Sequence, residues 1–198
     1  MIRSACALHV AVTVLLLSVC CFAADAATYK SPDGKIILSA STIDITQSRL
    51  AAKGKAHIEV AKAVAATSFN ASADAITVML FTDTDQKKKR VGLDAIKSAQ
   101  MTGFVEVIYV RTEADAVVKT TSSAQEAVYD GAEQIVKLSG QVKVTHHDPN
   151  MFTQPAVLTG DKATVNVKSD LGPEDFRFRI ESSPGVSRIE VSPKEKAE

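Results

Sequence analysis

Residues 123–167 read SAQEAVYDGAEQIVKLSGQVKVTHHDPNMFTQPAVLTGDKATVNV, and hydrophobicity in this stretch changes with a period of two. Val142 and Val144 alternate with Gln141, Lys143 and Thr145, and Ala163, Val165 and Val167 alternate with Lys162, Thr164 and Asn166. Such alternation places every second side chain on one face of a half-buried strand. Ala124 to Val128 leads into Asp130-Gly131, a turn signal, and so reads as a third strand.

The same period recurs in both directions from this stretch. Ala56, Ile58 and Val60 alternate with Lys55, His57 and Glu59; Val105, Val107 and Tyr109 alternate with Glu106 and Ile108; Phe176, Phe178 and Ile180 alternate with Arg177, Arg179 and Glu181. Helical spacing has one candidate, Lys62 to Ala66, which is too short and uncapped to stand alone. The sequence therefore predicts an all-β chain with strands near 35–46, 49–61, 71–81, 92–111, 116–129, 133–146, 156–168, 174–182 and 186–192.

Two patterns repeat among these strands. LAAKGKAHIEV around Gly54, AQMTGFVEVIYV around Gly103 and VKLSGQVKVTH around Gly140 each set a glycine inside an alternating run. Their spacings, 49 and 37 residues, are too irregular for a strict solenoid. ASADAITVML (71–80), LTGDKATVNV (158–167) and, more loosely, SSAQEAVYD (122–130) place an acid or amide ahead of alternating apolar residues. A glycine inside a strand marks a bulge, a bend or a close backbone approach. If each long strand bends at its glycine, the sheet folds over itself as a jelly roll or trough. If the glycines merely turn hairpins, the strands are shorter and the sheet need not bend.

The ends of the chain bear on compartment. Arg3 precedes an apolar run from Ala5 to Ala24, and Ala24-Asp25-Ala26 has the A-x-A spacing of a signal-peptidase site, so cleavage before Ala27 is expected. An uncleaved anchor is the second reading, because the run is close to the length that spans a bilayer. Lipidation at Cys20 or Cys21 is the third, with Val19 standing where a small residue is wanted. This division gives a signal segment 1–26, a β-domain 27–192 and a mobile charged tail 193–198.

Composition narrows the function. All three cysteines (Cys6, Cys20, Cys21) lie in the first segment, so a cleaved chain has no disulfide and no cysteine metal site. The remainder, about 170 residues, is long enough for one domain with a core. Lys and Arg number 23, as do Asp and Glu, and this balance argues against nucleic acid as a partner. Trp is absent and aromatics are sparse, which disfavours stacking platforms for bases or sugars. No nucleophile elbow, HExxH, Walker loop or GxGxxG occurs, so the chain reads as non-enzymatic and needing no cofactor.

Residues 123–167 resemble the OstA-like/LptA family of periplasmic lipopolysaccharide-transport proteins. The matching features are the A-x-x-A-x-Y-D start, the L-x-G-x-V-x-V strand around Gly140 and the L-T-G-D-x-A-x-V-x-V strand after a loop; residues 39–80 look like a weaker copy. The resemblance implies a twisted, open antiparallel β-jelly roll whose apolar trough holds acyl chains. It also implies a periplasmic location and bridging of the membranes without chemistry. The implied partners are lipopolysaccharide or a similar acylated lipid, an inner-membrane ABC transporter complex, an outer-membrane insertion complex and further copies stacked end to end. The insert with Lys87, Lys88, Lys89 and Arg90 and the tail after Leu171 depart from the family pattern.

The candidate lipid-groove residues are the inward members of the alternating runs: Ile58, Val60, Ile76, Val78, Val105, Val107, Val142, Val144, Val165 and Val167. The same alternation describes a plain closed core, as in a structural or protein-interaction module of the cell envelope. An interior of Val and Ala with few aromatics suits flexible acyl chains better than flat rings. His146-His147-Asp148 is a possible metal cluster, but adjacent strand residues point to opposite faces and Asp148-Pro149-Asn150 reads as a turn. A polar strand end is the expectation there, with no metal. Lys87–Arg90 reads as a solvated loop tip or a contact for lipid phosphates. Asn70-Ala71-Ser72 fits a glycosylation sequon as well as the start of a strand.

Overall fold

The computed structural model describes residues 26–61, 67–82, 90–113, 116–168, 171–172 and 174–194. The expected signal segment up to residue 25, the helical candidate Lys62–Ala66, Lys87–Lys89 and residues 195–198 of the expected tail lie outside the described residues.

Among the described residues, eleven strands form one antiparallel sheet: β1 (Ala27–Lys30), β2 (Ile36–Ala40), β3 (Thr42–Ile45), β4 (Arg49–Ala61), β5 (Thr67–Leu80), β6 (Ile96–Glu113), β7 (Ala116–Asp130), β8 (Ile135–His147), β9 (Phe152–Asn166), β10 (Phe178–Glu181) and β11 (Arg188–Pro193). The order is β1-β2-β4-β5-β6-β7-β8-β9-β10, with β3 also on β4 and β11 also on β9. Two expectations need correction. The strand at 35–46 breaks at Ser41 into β2 and β3, which pair with opposite halves of β4. Gly92–Ala95 form a 3-10 turn instead of beginning the strand expected at 92–111. β1 was not foreseen, because ATYK carries only two alternations.

The pairing registers show why β2 and β3 part company. β4, β6 and β8 each slip register at Gly54-Lys55, Gly103-Phe104 and Gly140-Gln141, and in each pair both residues have positive φ. Opposite them on the neighbouring strands stand Ser41, Asp74, Gln125 and Asp161. The two sequence patterns are therefore complementary, the glycine of one facing the polar residue of the other. At Gly103 (φ 76°) a Cβ would lie 2.8 Å from the Cβ of Asp74, and Gly140 meets Gln125 in the same way. Only glycine tolerates both the dihedral and the approach. The glycines bend continuous strands and do not turn hairpins.

Aligned across the sheet, these bends fold it into two leaves. Leaf A comprises β3, residues 49–53, 75–80, 96–102, 126–130, 135–139 and 162–166 of β4 to β9, and β10. Leaf B comprises β1, β2, the other halves of β4 to β9, and β11. A ring contact proves that the leaves face each other. Tyr109 of β6 lies between its cross-strand partners Phe69 and Thr120. Thr120 and Tyr129 are nine residues apart on β7, about 30 Å along a straight strand. Yet the Phe69 and Tyr129 rings lie 6.2 Å apart. The strand must turn back between them, and one hydrophobic cluster fills the space enclosed.

Candidate functional site

The interior is built from cross-strand rows. In leaf A, Ala52, Ile76, Met101, Ala127, Leu138, Ala163 and Ile180 stand side by side, as do Leu50, Val78, Ala99, Tyr129, Val136, Val165 and Phe178. In leaf B one row runs Leu38, Ile58, Ala71, Val107, Ser122, Val144 and Leu158, and the next runs Ile36, Val60, Phe69, Tyr109, Thr120, His146 and Ala156. Removing such side chains from water stabilises the fold by about 1.5–3 kcal/mol for each large aliphatic residue.

All ten candidate groove residues sit in this one interior. Ile76, Val78 and Val165 come from leaf A, while Ile58, Val60, Val105, Val107, Val142 and Val144 come from leaf B. Val167 follows the end of β9. None is more than 5% exposed, so in this conformation the leaves close over them. Alternation alone did not bring in Leu38, Leu50, Phe69, Met101, Tyr129 and Leu158, which share the same rows. Their signal is the register, which depends on where the bends fall.

The mouth opposite the bends is closed by different means. The Tyr109 hydroxyl of leaf B donates across the mouth to the Val167 carbonyl oxygen at 3.3 Å, while the Val167 N–H continues the β8–β9 pairing by donating to Gln134 O at 3.0 Å. At the other end the Gly92 N–H donates to a carboxylate oxygen of Asp33 at 3.4 Å. Burial alone would raise the Asp33 pKa, but hydrogen bonds from Ser31 and from the Lys35 and Gly92 amides hold it below the usual value.

His146 occupies the mouth at the β8–β10 end, where it shares Nδ1 with the Thr120 hydroxyl at 2.9 Å. Its ring lies edge-on to Phe178 at 4.8 Å and to Phe152 at 6.3 Å. Burial lowers its pKa to about 4, helped by the positive charges of Arg177 and Arg111 and opposed by Asp148. His147 is exposed on the opposite face, and Asp148 accepts from the Asn150 N–H at the start of a turn. The three side chains do not converge, and among the described residues no three potential ligands gather for a metal. Of the basic run, Arg90 lies with its guanidinium 3.9 Å from the centre of the Phe81 ring. Asn70 lies within β5.

Besides a hollow of about 260 Å3 beside Asp33 and Arg90, two others stand out among the described residues. One, of about 600 Å3, follows the bend between Gly103-Phe104 and Gly140-Gln141 and includes Glu106 and Glu126. The other, of about 280 Å3, lies on the outer face of leaf A among Lys137, Lys162, Arg179, Ser139 and Thr164.

No family model matches this chain, and no curated protein matches it. A solved structure does. LptH from Pseudomonas aeruginosa, described as the LptA-homologous periplasmic component of the conserved lipopolysaccharide transport device, superposes with a TM-score of 0.53. The match covers 81% of this chain and 95% of that one at 11% sequence identity. The chain has the LptA-like OstA fold. An open sheet bent into two leaves around one apolar interior is the β-jelly roll of that fold. Among the described residues of this LptA-like chain, no helix is long and apolar enough to cross a membrane.

Proposed function

We propose that this chain is a non-enzymatic periplasmic carrier that shields the acyl chains of lipopolysaccharide, or of a similar lipid, between its two leaves. The observation that carries the reading is the single apolar interior, contributed by both leaves of an LptA-like fold. An acyl chain leaving a membrane exposes about 0.8 kcal/mol per methylene to water, and a continuous apolar cleft removes that cost without chemistry. In this reading, Ile58, Val60, Ile76, Val78, Val105, Val107, Val142, Val144, Val165 and Val167 line the lipid path once the mouth opens. The free edges of β1, β3, β10 and β11 support strand addition, either to copies of the chain or to inner- and outer-membrane transport complexes.

One observation favours a second reading. The near-complete burial of these residues suits an envelope interaction module whose core never opens. Photo-crosslinking side chains at Val107, Val144 and Val165, with outward controls at Glu106 and Lys143, separate the two when purified protein is mixed with lipopolysaccharide. The carrier reading expects adducts at the three interior positions and none at the controls. Adducts at neither set would leave the closed module standing.

A further inference from the structure

We propose that the hollow on the outer face of leaf A, bounded by Lys137, Lys162 and Arg179, binds the phosphorylated headgroup of the lipid whose acyl chains the interior takes. The inference rests on the carrier reading for the identity of that lipid, but the anion site stands on its own geometry.

The register places the groups. Val128, Lys137, Thr164 and Arg179 are successive cross-strand neighbours on β7, β8, β9 and β10, and Glu126, Ser139, Lys162 and Glu181 form the adjacent row. With strands about 4.8 Å apart and residues about 3.3 Å apart along each, Lys137 and Arg179 stand about 10 Å from each other on either side of Thr164. Lys162 lies about 7 Å along β9 on the same face. A phosphate above the Thr164 hydroxyl is therefore within reach of three long cationic side chains. Leu138 and Ala163, both buried, lie beneath them.

The electrostatics point the same way. The whole chain is neutral, so a hollow lined by three cations and one acid, Glu181, with Glu126 bordering it beyond Ser139, is a local excess of positive charge. Lys137 and Lys162 form no ion pair among the described residues. Arg179 lies with its guanidinium 4.7 Å from the centre of the Phe176 ring, which holds a rigid two-pronged donor at the rim. The larger hollow at the bend is unsuited to an anion, because Glu106 and Glu126 line it. A volume of about 280 Å3 takes a phosphorylated sugar, whereas nucleic acid requires an extended basic stripe.

Position ties the hollow to the lipid. β10 is the edge of leaf A, with Phe178 and Ile180 facing the interior and Arg179 and Glu181 facing out. A lipid lying over this edge has its chains on one side of a single strand and its phosphates on the other.

Three titrations test the proposal on the full chain. The first compares lipopolysaccharide with its enzymatically dephosphorylated form, for the native protein and for Lys137→Gln/Lys162→Gln. The native protein should bind the phosphorylated form at least about tenfold more tightly, as charge-assisted hydrogen bonds imply, and the variant should bind both forms alike. A variant that keeps the discrimination overturns the proposal. The second follows backbone amide resonances of Lys137, Thr164 and Arg179 during addition of inorganic pyrophosphate. Selective shifts there without any lipopolysaccharide binding would uphold the anion site while removing the carrier reading, and absence of shifts would overturn the site. The third uses phosphatidylglycerol vesicles. An equal loss of vesicle binding in the variant would replace the headgroup site with general surface attraction, whereas unchanged vesicle binding supports it.

Discussion

The bend and the mouth of the folded sheet are held by different physics. The bend is written into the backbone three times, each time as a Gly-X pair with positive φ facing a polar residue on the next strand. The mouth is held by side chains of unlike kinds: a tyrosine hydroxyl on a carbonyl, a ring pair, and a histidine wedged against a phenylalanine. A repeated backbone device is stiff and redundant, whereas scattered side-chain contacts can be released without unfolding the strands. The difference predicts that an opening of this molecule would use the mouth and keep the bend.

The comparison can be broken most directly at its stiff side. Gly103→Val forces a β-branched residue into the left-handed region and against Asp74. We expect a loss of roughly 2–5 kcal/mol in urea denaturation, about 1–2 from the dihedral and the rest from the clash. A loss below about 0.5 kcal/mol would show that the bend does not depend on glycine.

Acid should loosen the mouth. The His146 pKa is about 4 in the folded protein against 6.5 for the free side chain. Unfolded chains therefore bind the proton first as pH falls. The stability contributed by neutral His146 is full above pH 6.5 and declines as pH drops from 6.5 toward 4, by about 3 kcal/mol at most. His146→Phe should flatten this part of the stability profile. An unchanged slope between pH 6.5 and 4 in that variant would mean that other groups govern it.

The smallest effect belongs to a single mouth contact. Tyr109→Phe deletes the hydroxyl that reaches Val167 and should cost about 1 kcal/mol. If the mouth opens locally, amide exchange at Asn166 and Val167 should quicken while exchange at Gly103 and Gly140 stays constant. Equal acceleration at the bend would contradict the division between the two regions.

Much of the architecture could be read from residues 123–167. Alternation marked β7, β8 and β9 and picked out Val142, Val144 and Val165 as inward side chains, because burying one face of a strand requires a period of two. The glycines marked the bends, because few other residues adopt their dihedrals. The break at Ser41 escaped notice, since it is imposed from β4, where Gly54 sends the two halves of the strand to different leaves. Gly92–Ala95 escaped for a related reason: its backbone is set where it crosses the mouth and meets Asp33.

The sequence by itself determined that this chain is β-structured, at which glycines its long strands either bend or turn, and that residues such as Ile58, Val107, Val144 and Val165 turn away from water. Those properties follow from local sterics and from the twofold period of a strand, which act within a few residues. Tertiary structure alone decided that Phe69 meets Tyr129, that His146 lies buried against β10, and that Lys137, Lys162 and Arg179 share one hollow. These groups are far apart in sequence or sit on different strands, so only the register and the folding of one leaf over the other bring them together.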